Sequence, residues 1–331
     1  MTFRDCYYFC AMHRSFYRLA IMVCLLLPGG ATFSQTTHTA RHLNNDSIPN
    51  PHPERVKWVA IGHSVAFAGS LTGLAVLWYA DHPKSGFHFF DDNAEWLQVD
   101  KAGHLYSAYM ISHTSSELWK WAGVPRKKRI WLAGIGGLAY QSIIEVLDGF
   151  SAEYGFSAGD YVANILGTAT FVSQELLWDQ QKIKIKFSVF PKRYTEPQLE
   201  QRADKLYGKT IIERSLKDYN QQTYWLSGDI KSLFHSEKWP AWLNISIGYG
   251  AKGMFGGTSN KVTDQNGNII FDRTDIPRQR QWYLSPDLNF SAIKTNKKGV
   301  KILFFVLDSF KFPAPALELS GGKLRGHFLY F

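Results

Sequence analysis

Cysteine is nearly missing from this chain of 331 residues: Cys6, Cys10 and Cys24 are the whole complement, and all three fall in the first 34 positions. That stretch reads as a secretory signal, so the mature protein holds no cysteine, which excludes disulfides, thiolate metal sites and cysteine nucleophiles. There is no G-x-x-x-x-G-K-[ST] phosphate-binding loop and no H-E-x-x-H, which removes the P-loop and zinc-protease signatures. No repeat of 20 to 50 residues and no low-complexity block occurs. Aromatic–basic motifs of the nucleic-acid-binding kind are also lacking. What is present is a folding composition: 45% hydrophobic, 15% aromatic and 20% charged, long enough for two domains.

From Met12, "MHRSFYRLAIMVCLLLPGGATFSQ" carries Arg14 and Arg18, an apolar run, and small residues Thr32 and Ser34 at cleavage-site positions. This predicts a signal peptide over residues 1–34, cut after Ser34. Residues 1–11 push the basic region further inside the chain than such signals usually have it, which points to Met12 as the start. Cys24 is followed by Leu25 rather than a small residue, which predicts cleavage rather than lipidation. Loss of Arg4, Asp5, Arg14 and Arg18 takes the net charge from +9 to +7. A basic exported protein meets anionic lipid or polysaccharide more readily than nucleic acid.

Residues 35–55 are polar and proline-containing and read as a linker. Trp58 to Ala80 has no formal charge over 23 residues, with Arg55, Lys57 and Asp81 flanking it, a length that can cross a bilayer. Gly69 and Gly73 form a G-x-x-x-G for close helix approach; a buried helix of a soluble bundle fits the same run. Three more helices are predicted. One starts near Asp100 and stops at Gly123 and Pro125. The next runs from about Lys127 to Leu147 and begins with the basic cluster Arg126 to Arg129, read as a solvated face or a headgroup contact. The last opens at Ser157, an N-cap candidate with Asp160 three residues on. The four are the ingredients of one bundle over residues 56–180.

After Trp178 the period changes from 3.6 to 2. Ile183–Phe190, Trp242–Gly250, Lys301–Leu307, the C-terminal "LRGHFLYF" and, more weakly, "QWYLSPDLNF" read as antiparallel strands. "EQRADKLYGKTIIERSLKDY" reads as helix, and Asn266-Gly267 as a hairpin turn. The fold class expected is therefore α+β: a helical bundle, possible membrane associate, then a β-rich region over residues 181–331. About five strands fall short of the eight of the smallest bacterial barrel, leaving an incomplete barrel or barrel-associated subunit as a minority expectation.

Three polar pairs punctuate the apolar helices: Asp100 and His104 (i, i+4), Glu145 and Asp148 (i, i+3), and Asp160 and Asn164 (i, i+4), with Gly167 a further turn on. Each pair shares one helical face. Four carboxylates brought together cannot all stay ionised in a low-dielectric site, because each raises the others' pKa and burial raises them further. The compensation open to them is a divalent metal, shared protons, or the charged form of His104. Asp100, His104, Glu145 and Asp160 could ligate Mg, Mn, Zn or non-haem Fe, or act as general acid and base. A satisfied structural network, as ionisable groups in apolar helices usually form, is the competing expectation. His63, His82, His88 and His113 carry no assignment. Trp225, Trp239, Trp242 and Tyr249 are candidate core or interface anchors.

"VDKAGHLYSAYM" followed by "IIEVLDGFSAEYGFSAGDYVANILG" resembles the YfiM-like family of periplasmic proteins of unknown function, and more remotely the VanZ-like membrane proteins linked to glycopeptide resistance. The resemblance covers about residues 96–178, and "DYNQQTYWLS" and "WPAWLNISIGYGAKGMFGG" extend it to longer Bacteroidetes-type members. It implies a site of Asp100, Lys101, His104, Glu145, Asp148, Asp160, Asn164 and Gly167. An arginine of the VanZ-like pattern is replaced here by "AEYGFS", and Asp148 stands where that pattern has Gln, which undermines an anion-binding role. Neither family implies a reaction. Two function classes follow: an envelope protein with a structural or interaction role at a membrane, and a metal-dependent hydrolase or transferase acting on a lipid or cell-wall precursor. The partner expected is membrane lipid or another envelope component, with oligomeric state open.

Overall fold

The computed structural model describes residues 51–78, 84–264 and 266–331. The predicted signal peptide, nearly all of the linker, the end of the Trp58–Ala80 run and His82 lie outside these. The chain divides into two compact units, Met1–Phe90 with Ile111–Ser157, and Asp91–Met110 with Ala158–Phe331. The division does not follow the change of period near residue 180: residues 91–110 and 158–180 go with the strands.

In the first unit, α1 (Pro53–Trp78) begins with proline in its first turn, where the missing N–H costs nothing. Val59 of α1 is buried with Ala122 and Val124, and Leu118 and Trp119 close over them. His63 stacks on Trp119 with ring centroids 5.4 Å apart, and Tyr140 donates to Ser70 Oγ at 2.8 Å. The second half of α2 (Val99–Trp121) belongs to this unit. It ends as predicted: Gly123 takes φ +79°, the left-handed terminator that glycine adopts without a Cβ clash, and Pro125 precedes α3 (Arg126–Asp148). Among the described residues α3 is the one helix long and apolar enough to cross a membrane. Of the basic cluster, Lys127 and Lys128 are exposed as expected. Arg129 is not: it is buried and donates to Ser116 Oγ at 2.8 Å, since its position on α3 points it at α2.

In the second unit the first half of α2 meets α4 (Ala158–Trp178). Contact is so close that a Cβ on Gly167 would lie 2.2 Å from the Leu105 carbonyl oxygen. Six strands then form one antiparallel sheet in the order β1-β2-β3-β6-β7-β8: β1 (Ile183–Val189), β2 (Gln222–Gly228), β3 (Leu243–Lys252), β6 (Gln279–Leu288), β7 (Ala314–Ser320) and β8 (Lys323–Tyr330). The short β4 (Lys261–Thr263) and β5 (Ile269–Asp272) pair separately; between them lies the predicted Asn266-Gly267 turn, with Gly267 at φ +82°. The region read as one helix is two, α5 (Pro197–Tyr207) and α6 (Ile211–Lys217). Gly208 at φ +83° separates them, and Thr210 with Glu213 forms a capping box at the start of α6. A short α7 (Ile230–Phe234) precedes β3.

One predicted strand is a helix. Lys301–Leu307 lies in α8 (Lys298–Leu307), because its run Ile302–Leu307 is continuously apolar and carries no alternation to hold a strand face. The α+β class stands, with the helices mostly in the N-terminal half and an antiparallel sheet of six strands towards the C-terminus.

Candidate functional site

Within the second unit the structure gathers Asp100, Lys101, His104, Asp160 and Asn164 at one end of α2 and α4. The helices set the geometry. Asp100 sits in the first turn of α2 and Asp160 in the first turn of α4, where the helix dipole favours a carboxylate. His104 follows Asp100 by one turn and its ring reaches across to α4, with Nδ1 3.3 Å from Asn164 Oδ1 and Nε2 3.9 Å from Asp160 Oδ2. Asn164 is fully buried, and Asp100 and Asp160 nearly so. Gly167, one turn beyond Asn164, allows the backbone approach that brings these side chains into range.

Lys101 is the hub. Its Nζ lies 2.6 Å from Asp92 Oδ1, 3.0 Å from Asp100 Oδ2 and 3.0 Å from Asp160 Oδ1. Asp92 escaped the sequence reading, and its route into the site explains why. Trp96, Leu97 and Gln98 take φ of +47°, +51° and +62° in succession, a left-handed turn that no glycine or asparagine announces. The turn is held from outside. Trp96 N–H donates to the Gly257 carbonyl at 2.8 Å, its ring packs edge-on to Tyr207, and Tyr249 of β3 donates to the Leu97 carbonyl. At Gly257 a Cβ would stand 2.8 Å from the Glu95 carboxyl carbon, so glycine leaves the room for this packing.

The electrostatics follow from burial. Removal from water pushes the Asp100 carboxyl up to about 6, against the pull of Lys101 and with a push from Asp160. Burial likewise raises Asp160, while His104 and Lys101 draw it down and Asp92 raises it. Burial opposes the charge on Lys101, but Asp100 and Asp160 outweigh it and hold the ammonium above its usual range. Asp92, Asp100 and Asp160 each offer an oxygen within 4.8 Å of the others, which would suit a cation, and the lysine ammonium reaches all three.

Beside Lys101 a cleft of about 540 Å³ runs between α2 and α4. Asn93, Lys101 and Gly159 line its polar end, and Ala102, Leu105, Val162 and Leu166 its apolar length. Glu145 and Asp148 lie on α3 in the first unit, Glu145 buried and Asp148 half-buried. Of the predicted anchors, Trp225 is buried inside the sheet and Trp242 is half-exposed before β3.

Residues 86–175, which hold every one of these helix residues, match a family model. It is described as "Predicted periplasmic lipoprotein (DUF2279)". The description agrees with an exported, envelope-associated protein and assigns no activity. It carries neither the YfiM-like nor the VanZ-like name. The residues around Cys24, on which the expectation of cleavage without lipidation rests, lie outside the match and outside the described residues. No curated protein and no solved structure matches the chain.

Proposed function

We propose that this is an envelope protein with a structural or interaction role at a membrane, in which Asp92, Asp100, Lys101, His104, Asp160 and Asn164 form a self-neutralising clamp between α2 and α4. One observation carries the reading: the Lys101 ammonium stands within 3.0 Å of three carboxylates, in the position a catalytic cation would need. Three carboxylates and one ammonium leave excess negative charge, and burial raises Asp100 and Asp160 so that the cluster takes up protons on mild acidification. The histidine then joins Asp160 and Asn164 and fixes the register of the two helices.

The second reading is a metal-dependent hydrolase or transferase acting on a lipid or cell-wall precursor. It is favoured by the convergence of Asp92, Asp100 and Asp160 beside a largely apolar cleft. Under it, a divalent ion would displace the lysine ammonium and polarise a substrate oxygen. Metal analysis of the purified full chain separates the two. The clamp predicts folded protein without stoichiometric metal, and a loss of about 3 kcal/mol in unfolding free energy for Lys101→Met, which strands buried carboxylates. Stoichiometric metal that disappears in His104→Ala and Asp160→Ala would replace the clamp by the enzyme.

A further inference from the structure

The six-stranded sheet wears its polarity inside out. Its enclosed face is charged: Lys186, Asp287 and Lys311 have no exposed side-chain surface, with Lys186 Nζ 2.8 Å from Asp287 Oδ2 and 3.6 Å from Asp308 Oδ1. Ser227, Asn244 and Ser246 are buried on the same face. The outward face is apolar. Across the ladder Leu226 pairs with Ile247, Ile247 with Leu284 and Leu284 with Leu317. A second row runs from Tyr249 through Trp282 and Leu319 to Leu324. Ile247, Leu284 and Leu319 are each about half exposed, and Phe328 is 93% exposed. A water-facing antiparallel sheet alternates the other way, apolar residues in and polar out. Charge inside with hydrocarbon outside is the alternation of a sheet whose surrounding solvent is lipid.

Three further features agree. From Trp242 to Tyr249 is about 24 Å at the rise of a strand, or about 18 Å of height at a tilt of about 40°, which covers most of the apolar band of membrane sheets, about 25 Å tall and edged by aromatics. Tyr249 packs on Trp282 at 4.7 Å at one end, and half-exposed Trp242 stands at the other. The Trp242 end also carries the charge such a band needs at its rim. The Trp242 carbonyl accepts from Asn289 N–H at 2.8 Å, Phe290 packs on Phe304 of α8, and α8 is preceded by exposed Lys294 and Lys297 and opens with exposed Lys298. Exposed Leu303 and Val306 follow on the same helix, the composition of an interfacial helix beside anionic headgroups. Finally, the sheet curls until Tyr330 of β8 stacks on Phe190, just past β1, at 5.6 Å, while β1 exchanges backbone hydrogen bonds with Ser309 and Lys311. Both reduce the open strand edge that lipid would not tolerate.

We infer that the outward face of β3, β6, β7 and β8 lies in the hydrocarbon of a bilayer with anionic headgroups, and that Lys294, Lys297 and Lys298 sit at headgroup level. The inference rests on the membrane role proposed above. It is tested with the full chain, Cys6, Cys10 and Cys24 replaced by serine, carrying single nitroxide-labelled cysteines at Leu284, Leu319, Phe328 or, as a control, Asn296. The protein is reconstituted into vesicles of phosphatidylcholine and phosphatidylglycerol. Labels on the outward face are expected to relax with oxygen and to lose relaxation by a water-soluble nickel chelate, and the Asn296 label to do the reverse. A second measurement needs no cysteine: brominated lipid quenches tryptophan emission, and Trp282→Phe reduces that quenching while Trp225→Phe leaves it. Protein that never associates with vesicles overturns the membrane role together with the inference. Vesicle-bound protein whose outward labels stay open to nickel overturns the face assignment alone. Labels shielded from both reagents overturn it in favour of a second copy of the chain on that face.

Discussion

The second unit buries two charge clusters of opposite balance. Between α2 and α4, one lysine serves three carboxylates, with a histidine beside them. Inside the sheet, Lys184, Lys186 and Lys311 share Asp287 and Asp308, and the surplus cation charge is spread over the Leu288 carbonyl and the Asn289 amide oxygen. The acidic cluster borders a cleft; in the basic one Lys311 Nζ lies 5.2 Å from the ring centroid of buried Trp225. Burial raises Asp100 to about 6, so the first cluster gains a proton on the mildly acid side. The lysine surplus is met in part by carbonyl oxygens and in part by burial, which draws Lys311 down to about 8, so the second cluster loses charge on the alkaline side.

The strongest way to break that contrast is Lys186→Met. Removing a fully enclosed cation from between Asp287 and Asp308 is expected to cost about 3–5 kcal/mol, read as a lowered urea midpoint in micelles. Next comes the pH dependence of the acidic cluster. The Asp100 pKa rises from 3.8 to about 6 on folding, so the folded protein holds this proton more tightly than the unfolded chain. The sign follows: stability falls as pH rises from about 4 to about 6 and carries the full penalty above that, about 3 kcal/mol. Asp100→Asn is therefore expected to shrink the difference in unfolding free energy between pH 4 and pH 7 by about that amount; an unchanged pH profile would refute the burial argument. Gly167→Ala should be the mildest, about 1–3 kcal/mol. Its new Cβ, 2.2 Å from the Leu105 carbonyl, drives α2 and α4 apart, and the Lys186 cluster should be unaffected in a double-mutant cycle.

The helical half was legible because its signals are local: a glycine and a proline that stop α2, and polar pairs one turn apart on apolar faces. Asp100, His104, Asp160 and Asn164 could be placed on common faces by spacing alone. The neutralising group was harder to see, since the residue reading offers a metal, shared protons or charged His104, whereas the geometry adds the ammonium of Lys101. Asp92 was beyond reach because a left-handed turn of Trp96, Leu97 and Gln98 returns it to the site, and those residue types do not announce such a turn. Among the strands, alternation found β1, β3, β6 and β8. β7 went unread because Pro313 and Pro315 disguise its start. The basic cluster of the sheet joins Lys184 to Asn289 and Asp308, 105 and 124 residues further along the chain, so no short window of sequence contains it.

The helix α2 gives its opening turns to one unit and its closing turns to the other, and each unit is assembled from two separated lengths of chain. No single cut therefore releases either one intact. A protease nick near Met110 would sever an uninterrupted helix, and a fragment ending at Trp178 would keep Lys101 with its three acids but leave the turn that delivers Asp92 without Gly257 or Tyr249 to hold it. Separating the two units therefore takes more than one cut through the chain.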